Sequence, residues 1–146
     1  MTADDGGLSR IQRRLNAIPK RLQERMATVA VEQAEKVADD MRTMALASRD
    51  TGDLINSIHV TPGGQTTPPY SQPGGSSSAP VGGAVITAGD TDVRYAHLVE
   101  YGHRGPNGSI VDPKPFFWTA VQLNNKRVKG VFRKEARRVI KESWGK

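Results

Sequence analysis

Between Thr61 and Gly83 the chain reads Thr-Pro-Gly-Gly-Gln-Thr-Thr-Pro-Pro-Tyr-Ser-Gln-Pro-Gly-Gly-Ser-Ser-Ser-Ala-Pro-Val-Gly-Gly. No regular element can run through such a stretch. Each proline lacks a backbone N–H, and each glycine gives up more backbone freedom on ordering than any other residue. The segment holds too little apolar surface to offset that cost, so residues 61–83 are expected to form a long flexible loop. A loop of this length inside a small domain is usually functional or disordered. Tyr70 is its one aromatic residue and the expected anchor on a neighbouring molecule.

What flanks the loop must therefore supply the core. Leu8, Ile11, Leu15, Ile18 and Leu22 recur at spacings of three and four, the signature of one apolar stripe on a helix. The stripe then drifts to Met26, Val29, Val37, Met41 and Met44. Pro19 falls inside it, which predicts a short first helix, a break, and a second helix running to about Ser48. The repeat is too short and interrupted for a coiled coil, so packing on the protein's own sheet is expected. Arg49-Asp50-Thr51-Gly52 reads as a turn, with Thr51 or Asp53 as a cap, and Ile55–Val60 as a strand.

Beyond the loop, Ala84–Ala88 is a short continuously apolar strand and Gly89–Asp92 a turn. Tyr95, Leu98 and Val99 lie at i, i+3, i+4, which predicts a short helix closed by Gly102, where positive φ costs glycine nothing. A strand reading competes, because Val93, Tyr95, Val99 and Tyr101 alternate. Ser109–Val111 reads as a brief strand. From Pro115 the pattern is helical: Phe117, Val121, Val128, Phe132, Ala136 and Val139 share a face, and Gly130 marks a weak point. The whole of residues 1–146 reads as a single α+β domain, its N-terminal and C-terminal helices packed on a small antiparallel sheet.

Three segments resemble the HK97 gp10-like family of tailed-phage proteins. Thr51-Gly52-Asp53-Leu54-Ile55-Asn56-Ser57-Ile58 resembles that family's Thr-Gly-x-Leu-x-x-Ser-Ile. Tyr95-Ala96-His97-Leu98-Val99-Glu100-Tyr101-Gly102 resembles its Tyr-Ala-x-x-Val-Glu-Phe-Gly, and Pro113-Lys114-Pro115-Phe116-Phe117-Trp118-Thr119-Ala120 its Pro-x-Pro-Phe-Leu-x-x-Ala. The family usually continues with threonine where this chain has His103. The resemblance implies a structural component of the head-tail connector, either tail terminator or neck protein, of a phage, a prophage or a gene transfer agent. It further implies a homo-oligomeric ring of six copies, contacts with neighbouring connector and tail-tube proteins, DNA passing through the lumen, and residence in a virion or phage-like particle.

Composition narrows the chemistry. Residues 1–50 carry nine basic and eight acidic groups, residues 51–125 three and five, and residues 126–146 nine and two. The basic character is thus assigned to the last helix, whose Arg133, Arg137 and Arg138 are the expected docking residues for an acidic neighbour. The alternative is a small DNA-binding protein that neutralises phosphates with this same helix. With no cysteine, disulfide and thiolate-metal frameworks are excluded, which fits assembly in a reducing cytoplasm; the resemblance implies that this is the bacterial cytoplasm. No apolar run approaches a membrane span, and no membrane partner is expected. His97 and Glu100 sit at a spacing that two metal ligands could share, but no third ligand is recruited, so no metal or cofactor is expected. Glu100 is expected to make a buried hydrogen bond or ion pair instead, with Arg94 or Arg104 as candidate partners, and Asp90 and Asp92 to serve a turn. The serines lie in the loop, where no base is held beside them, so catalysis is not expected.

Overall fold

The N-terminal apolar stripe forms one helix, α1 (Leu8–Ala45), with Pro19 inside it. The break expected at Pro19 is absent. The proline cannot donate to the Leu15 carbonyl, but this part of the helix is exposed, so water can donate to that carbonyl instead. The computed structural model describes residues 8–48 and 52–144. Thr51 and most of the turn before Gly52 therefore lie outside the described residues.

A short 3-10 turn (Leu46–Ser48) ends α1. Then comes α2 (Asp53–Asn56), whose N-cap is Gly52 at φ 97 with no side-chain cap. The strand expected from Ile55 is thus displaced: its first residues are helical, and β1 runs His59–Pro62. Leu54 within α2 and Ile58 just beyond it are both buried in the core. The strand β2 (Ala84–Thr87) pairs antiparallel with β1, with His59 opposite Thr87 and Pro62 opposite Ala84. After α3 (Ala96–Tyr101), the two short strands β3 (His103–Arg104) and β4 (Ile110–Val111) form a second antiparallel pair. The chain closes with α4 (Phe117–Trp144), unbroken through Gly130. The architecture is α+β, with two long helices and two small antiparallel sheets.

The long helices run antiparallel. Arg25 at the middle of α1 meets Glu135 in the C-terminal half of α4 at 3.0 Å, while Asp40 near the end of α1 accepts from Asn124 in the N-terminal half of α4 at 2.7 Å. One face of α1 contributes Val37, Ala38, Met41 and Ala45 to the core. The alanines let α1 approach closely, and Leu54, Ile58, Phe116, Phe117 and Ala120 fill the space between the elements. Packing against α4 as well as β1 and β2 corrects the expectation that α1 would lie on the sheet alone. The expected stripe on α4 holds: Phe117 and Val139 are buried, and Val121, Val128, Phe132 and Ala136 are half-buried.

Thr61 and Pro62, expected in the loop, belong to β1; the segment from Gly63 to Gly83 is a loop, but it is not featureless. Gly63 donates to the Gly83 carbonyl, Ala79 to Gln65, and Thr67 to Ser77, so its two limbs are laced together. Gly63 is required there, since a Cβ would lie 2.5 Å from the Pro80 carbonyl oxygen. The tip folds back, and Gln72 exchanges backbone hydrogen bonds with Ala88 beyond β2. Thr67, Ser71 and Ala79 are buried. Hydrogen bonds do here what apolar burial cannot, which composition alone did not reveal.

Two measurements check this packing. Nothing lies within 4 Å of a Cβ added at Gly130, so Gly130→Ala should stabilise the protein by about 0.5–1 kcal/mol in chemical denaturation. Hydrogen bonding from Arg25, assisted by Arg138, holds the Glu135 carboxyl below its ordinary value of 4.5 against the opposing effect of its burial. A depressed carboxylate stabilises the fold above its unfolded value and loses that contribution as pH falls through the folded one. The melting temperatures of wild type and Glu135→Gln should therefore differ at neutral pH and converge as pH falls below 4.5.

Candidate assembly surface

Glu100 sits on α3 with its side chain turned inward, 7% exposed. One carboxylate oxygen accepts from the backbone N–H groups of Phe116 at 2.8 Å and Phe117 at 2.9 Å, and the other from Trp118 at 3.1 Å. These N–H groups open α4, where the chain has no internal acceptors for them and the helix dipole is positive. A buried carboxylate satisfied by three charge-assisted bonds fits that position. The partner is thus the backbone, not Arg94 or Arg104 as the sequence suggested; a helix start sixteen residues downstream leaves no local signal at Glu100.

The inward face of α3 is Ala96 and Glu100, while Tyr95 and Val99 lie half-buried at its edge against the core. The expected face is rotated by one residue because it must point the carboxylate at α4. Gly102 ends the helix at φ 72 and ψ 170, so its φ is positive as expected but its ψ is extended. A Cβ there would sit 2.6 Å from the Val111 carbonyl oxygen and 2.9 Å from the Pro113 nitrogen. Lys114 in turn donates to the Val99 carbonyl. The residues from Val111 to Lys114 thus lie against the end of α3, and Pro115 carries the chain into α4 at the Glu100 carboxylate.

The first motif segment joins the same assembly through Ser57. Its buried hydroxyl donates to the Leu54 carbonyl at 2.7 Å and accepts from Gly89 N–H at 3.0 Å, tying α2 to the turn after β2. Leu54, Ile58 and Phe116 are almost wholly buried beside it. Of the motif residues, Leu54, Ser57, Ile58, Ala96, Glu100, Phe116 and Phe117 are buried, and Gly52 is the N-cap of α2.

That surface is aromatic. Tyr101, 66% exposed, accepts a hydrogen bond from the Trp118 indole N–H at 2.7 Å, and Trp118 is itself 41% exposed. Of the Phe116–Trp118 cluster only the two phenylalanines are core; Trp118 faces solvent with Phe117 packed edge-on at 5.0 Å. A cavity of about 50 Å³ opens beside them, with Gln72 and Pro73 from the loop tip on its far wall. Nearby on the loop, Tyr70 is exposed at φ 60, and the Arg94 guanidinium lies over its ring at 3.9 Å. The exposed Ile110 and Val111 of β4 extend the patch past Gly102.

The alternative chemistries do not assemble here. His97 is exposed while Glu100 is buried, so the two do not converge, and among the described residues no three metal-ligating groups lie together. Asp90 accepts from the backbone of Asp92 and Val93, as a turn residue does. Arg133, Arg137 and Arg138 are exposed on α4, away from the aromatic surface, and Arg138 pairs with Glu135 at 2.7 Å. Among the described residues no helix is long and apolar enough to cross a membrane.

A family profile described as "Bacteriophage HK97-gp10, putative tail-component" matches residues 9–102. The matched span runs from α1 through the first two motif segments and stops at Gly102; Pro115, Phe116 and Phe117 lie beyond it. No curated protein and no solved structure matches the chain.

Glu100→Ala should destabilise the protein by about 3 kcal/mol in chemical denaturation, because three N–H groups lose their acceptor together. Glu100→Gln should cost less, since an amide oxygen still accepts but carries no charge. Equal stability of wild type and Glu100→Ala would show that water satisfies the α4 terminus unaided.

Proposed function

Because the chain belongs to the HK97-gp10-like family of bacteriophage tail components, we propose that it is a structural part of the head-tail connector, acting as tail terminator or neck protein. Six copies form a closed ring between the capsid connector and the tail tube, and DNA passes through the lumen. The particle is a phage, or a prophage or gene transfer agent built from the same parts, assembled in the bacterial cytoplasm. A head-to-tail contact repeated by rotation closes such a ring when the angle allows.

The observation that carries this reading is the exposed Tyr101–Trp118 pair. It is mounted on the buried Glu100 device and gives that costly buried carboxylate a purpose beyond stability. Exposed aromatics with a polar handle are the residues that dominate protein–protein contacts. Tyr70 on the loop tip supplies a second contact, and movement of that loop on docking adapts it to a neighbouring ring. Arg133, Arg137 and Arg138 provide electrostatic docking onto an acidic neighbour, which raises encounter rate and selects the partner.

Electron microscopy of assembled particles tests the ring: density at the head-tail junction should be lost when the gene is deleted and return with the wild-type protein. Reversing Arg133 and Arg137 to glutamate, with Arg138 kept for its pair with Glu135, should leave the melting temperature within a few degrees, because exposed charges contribute little individually. Head-tail joining should nevertheless fail. Particles of normal yield from that variant would remove the docking role. Tight binding of duplex DNA at physiological salt, with the tail ignored, would favour the nucleic-acid reading instead.

A further inference from the structure

The charge of α1 is divided along its length. Its N-terminal half carries Arg10, Arg13, Arg14, Lys20, Arg21 and Arg25 against the single carboxylate Glu24. Its C-terminal half carries Glu32, Glu35, Asp39 and Asp40 against Lys36 and Arg42. Because α4 runs antiparallel, its own Arg133, Lys134, Arg137, Arg138 and Lys141 fall at the basic end of α1. One end of the molecule is therefore strongly cationic, and an open groove of about 430 Å³ lined by Arg10, Arg13, Arg14, Ala17, Arg21 and Ser143 lies within it.

The same end is structurally unfinished. Ser143, one residue before the end of α4, shares that groove with Ala17 and Arg21, so the turns of α1 before Ala17 have no helix opposite them. Ile11 is 47% and Leu15 41% exposed on those turns. About two and a half turns, some 13 Å, thus project beyond α4 with an apolar stripe flanked by arginines. A helix of that length without a packing partner is marginal in water. The exposed leucine and isoleucine favour a protein partner, because a phosphate backbone offers such side chains nothing to bury against.

The chain itself carries the complementary surface. Glu32, Glu35 and Asp39 lie at i, i+3 and i+7 on the exposed side of α1, and the stripe ends on Leu46, 66% exposed. Arg42 reaches two of these carboxylates, at 3.6 and 2.7 Å, but leaves both largely open to solvent. We propose that the projecting N-terminal turns of α1 in one copy dock along the acidic Glu32–Leu46 stripe of the next, with Ile11 and Leu15 buried between them. The contact joins two different surfaces, as a ring requires, and the inference rests on the ring reading above.

The test uses two charge reversals in the otherwise intact chain, read by native mass spectrometry and sedimentation velocity, with circular dichroism to establish that each variant is folded. Wild type should assemble, with the oligomer weakening as salt rises. Arg10→Glu/Arg14→Glu should be monomeric, and so should Glu32→Arg/Glu35→Arg. Mixed in equal amounts the two should reassociate, because each then offers the other a complementary pair of surfaces, and an even-numbered ring can alternate them. Ile11→Ser/Leu15→Ser should also reduce assembly while leaving every charge in place. If wild type assembles and neither reversal changes it, this interface is wrong and the ring reading stands. If wild type stays monomeric at all concentrations while rings are visible at the junction of particles, the contact between copies lies elsewhere. If rings are absent there too, both readings fall. Retention of a 20-base-pair duplex by wild type but not by Arg10→Glu/Arg14→Glu, without self-association, would reassign the cationic end to nucleic acid.

Discussion

Three backbone N–H groups at the start of α4 converge on one buried carboxylate, and much of the molecule follows from that. Glu100 fixes where the final helix begins, and therefore which of its faces meets α1. The same carboxylate sets the rotation of α3, so that Ala96 and Glu100 point inward and Tyr101 is left outside. A buried charge is tolerable only when its oxygens are satisfied, and the helix start, with unpaired donors and a positive dipole end, is one of the few backbone features that can do so. Gly102 belongs to the same device, since only a residue without a side chain lets the Val111–Pro113 segment pass so close.

Much of this was legible in order of residues, less in three dimensions. Periodicity places α1 and α4, and the residues around Gly102 mark it as a position of positive φ. Pro19 misled, because its cost to a helix depends on whether water can reach the freed carbonyl, which is a property of the fold. The Ile55–Val60 strand misled for a related reason. Six apolar and polar residues suit either element, and their own pattern does not separate a single helical turn from the start of a strand. Glu100 was recognised as a buried polar residue, but its partner was sought among arginines because side-chain charges are visible in a sequence and unpaired backbone groups are not.

Charge was misread by averaging. Nine basic and eight acidic groups over residues 1–50 sum almost to nothing, and the sum hides a helix polarised from one end to the other. The basic half matters only because α4 returns antiparallel and lays its own cations beside it, a fact of topology. The loop taught a similar lesson. Its composition forbids an apolar core, yet Thr67, Ser71 and the laced limbs show that hydrogen bonding among threonines, serines and main chain can organise such a segment without one.

The antiparallel contact of α1 with α4 also bears on the order of events as the chain is made. The first helix leaves the ribosome with its apolar face, Val29 to Ala45, and only α2, β1 and β2 can cover part of it until α4 has emerged about a hundred residues later. At translation rates of roughly 5–20 residues per second, that interval lasts several seconds. During it Glu100 too is without its acceptor role, so neither the complete core nor the surface it presents exists. Because the contact is so distant in sequence, folding is expected to be slow for a protein this helical, and the Tyr101–Trp118 surface is the last part of the molecule to be set in place.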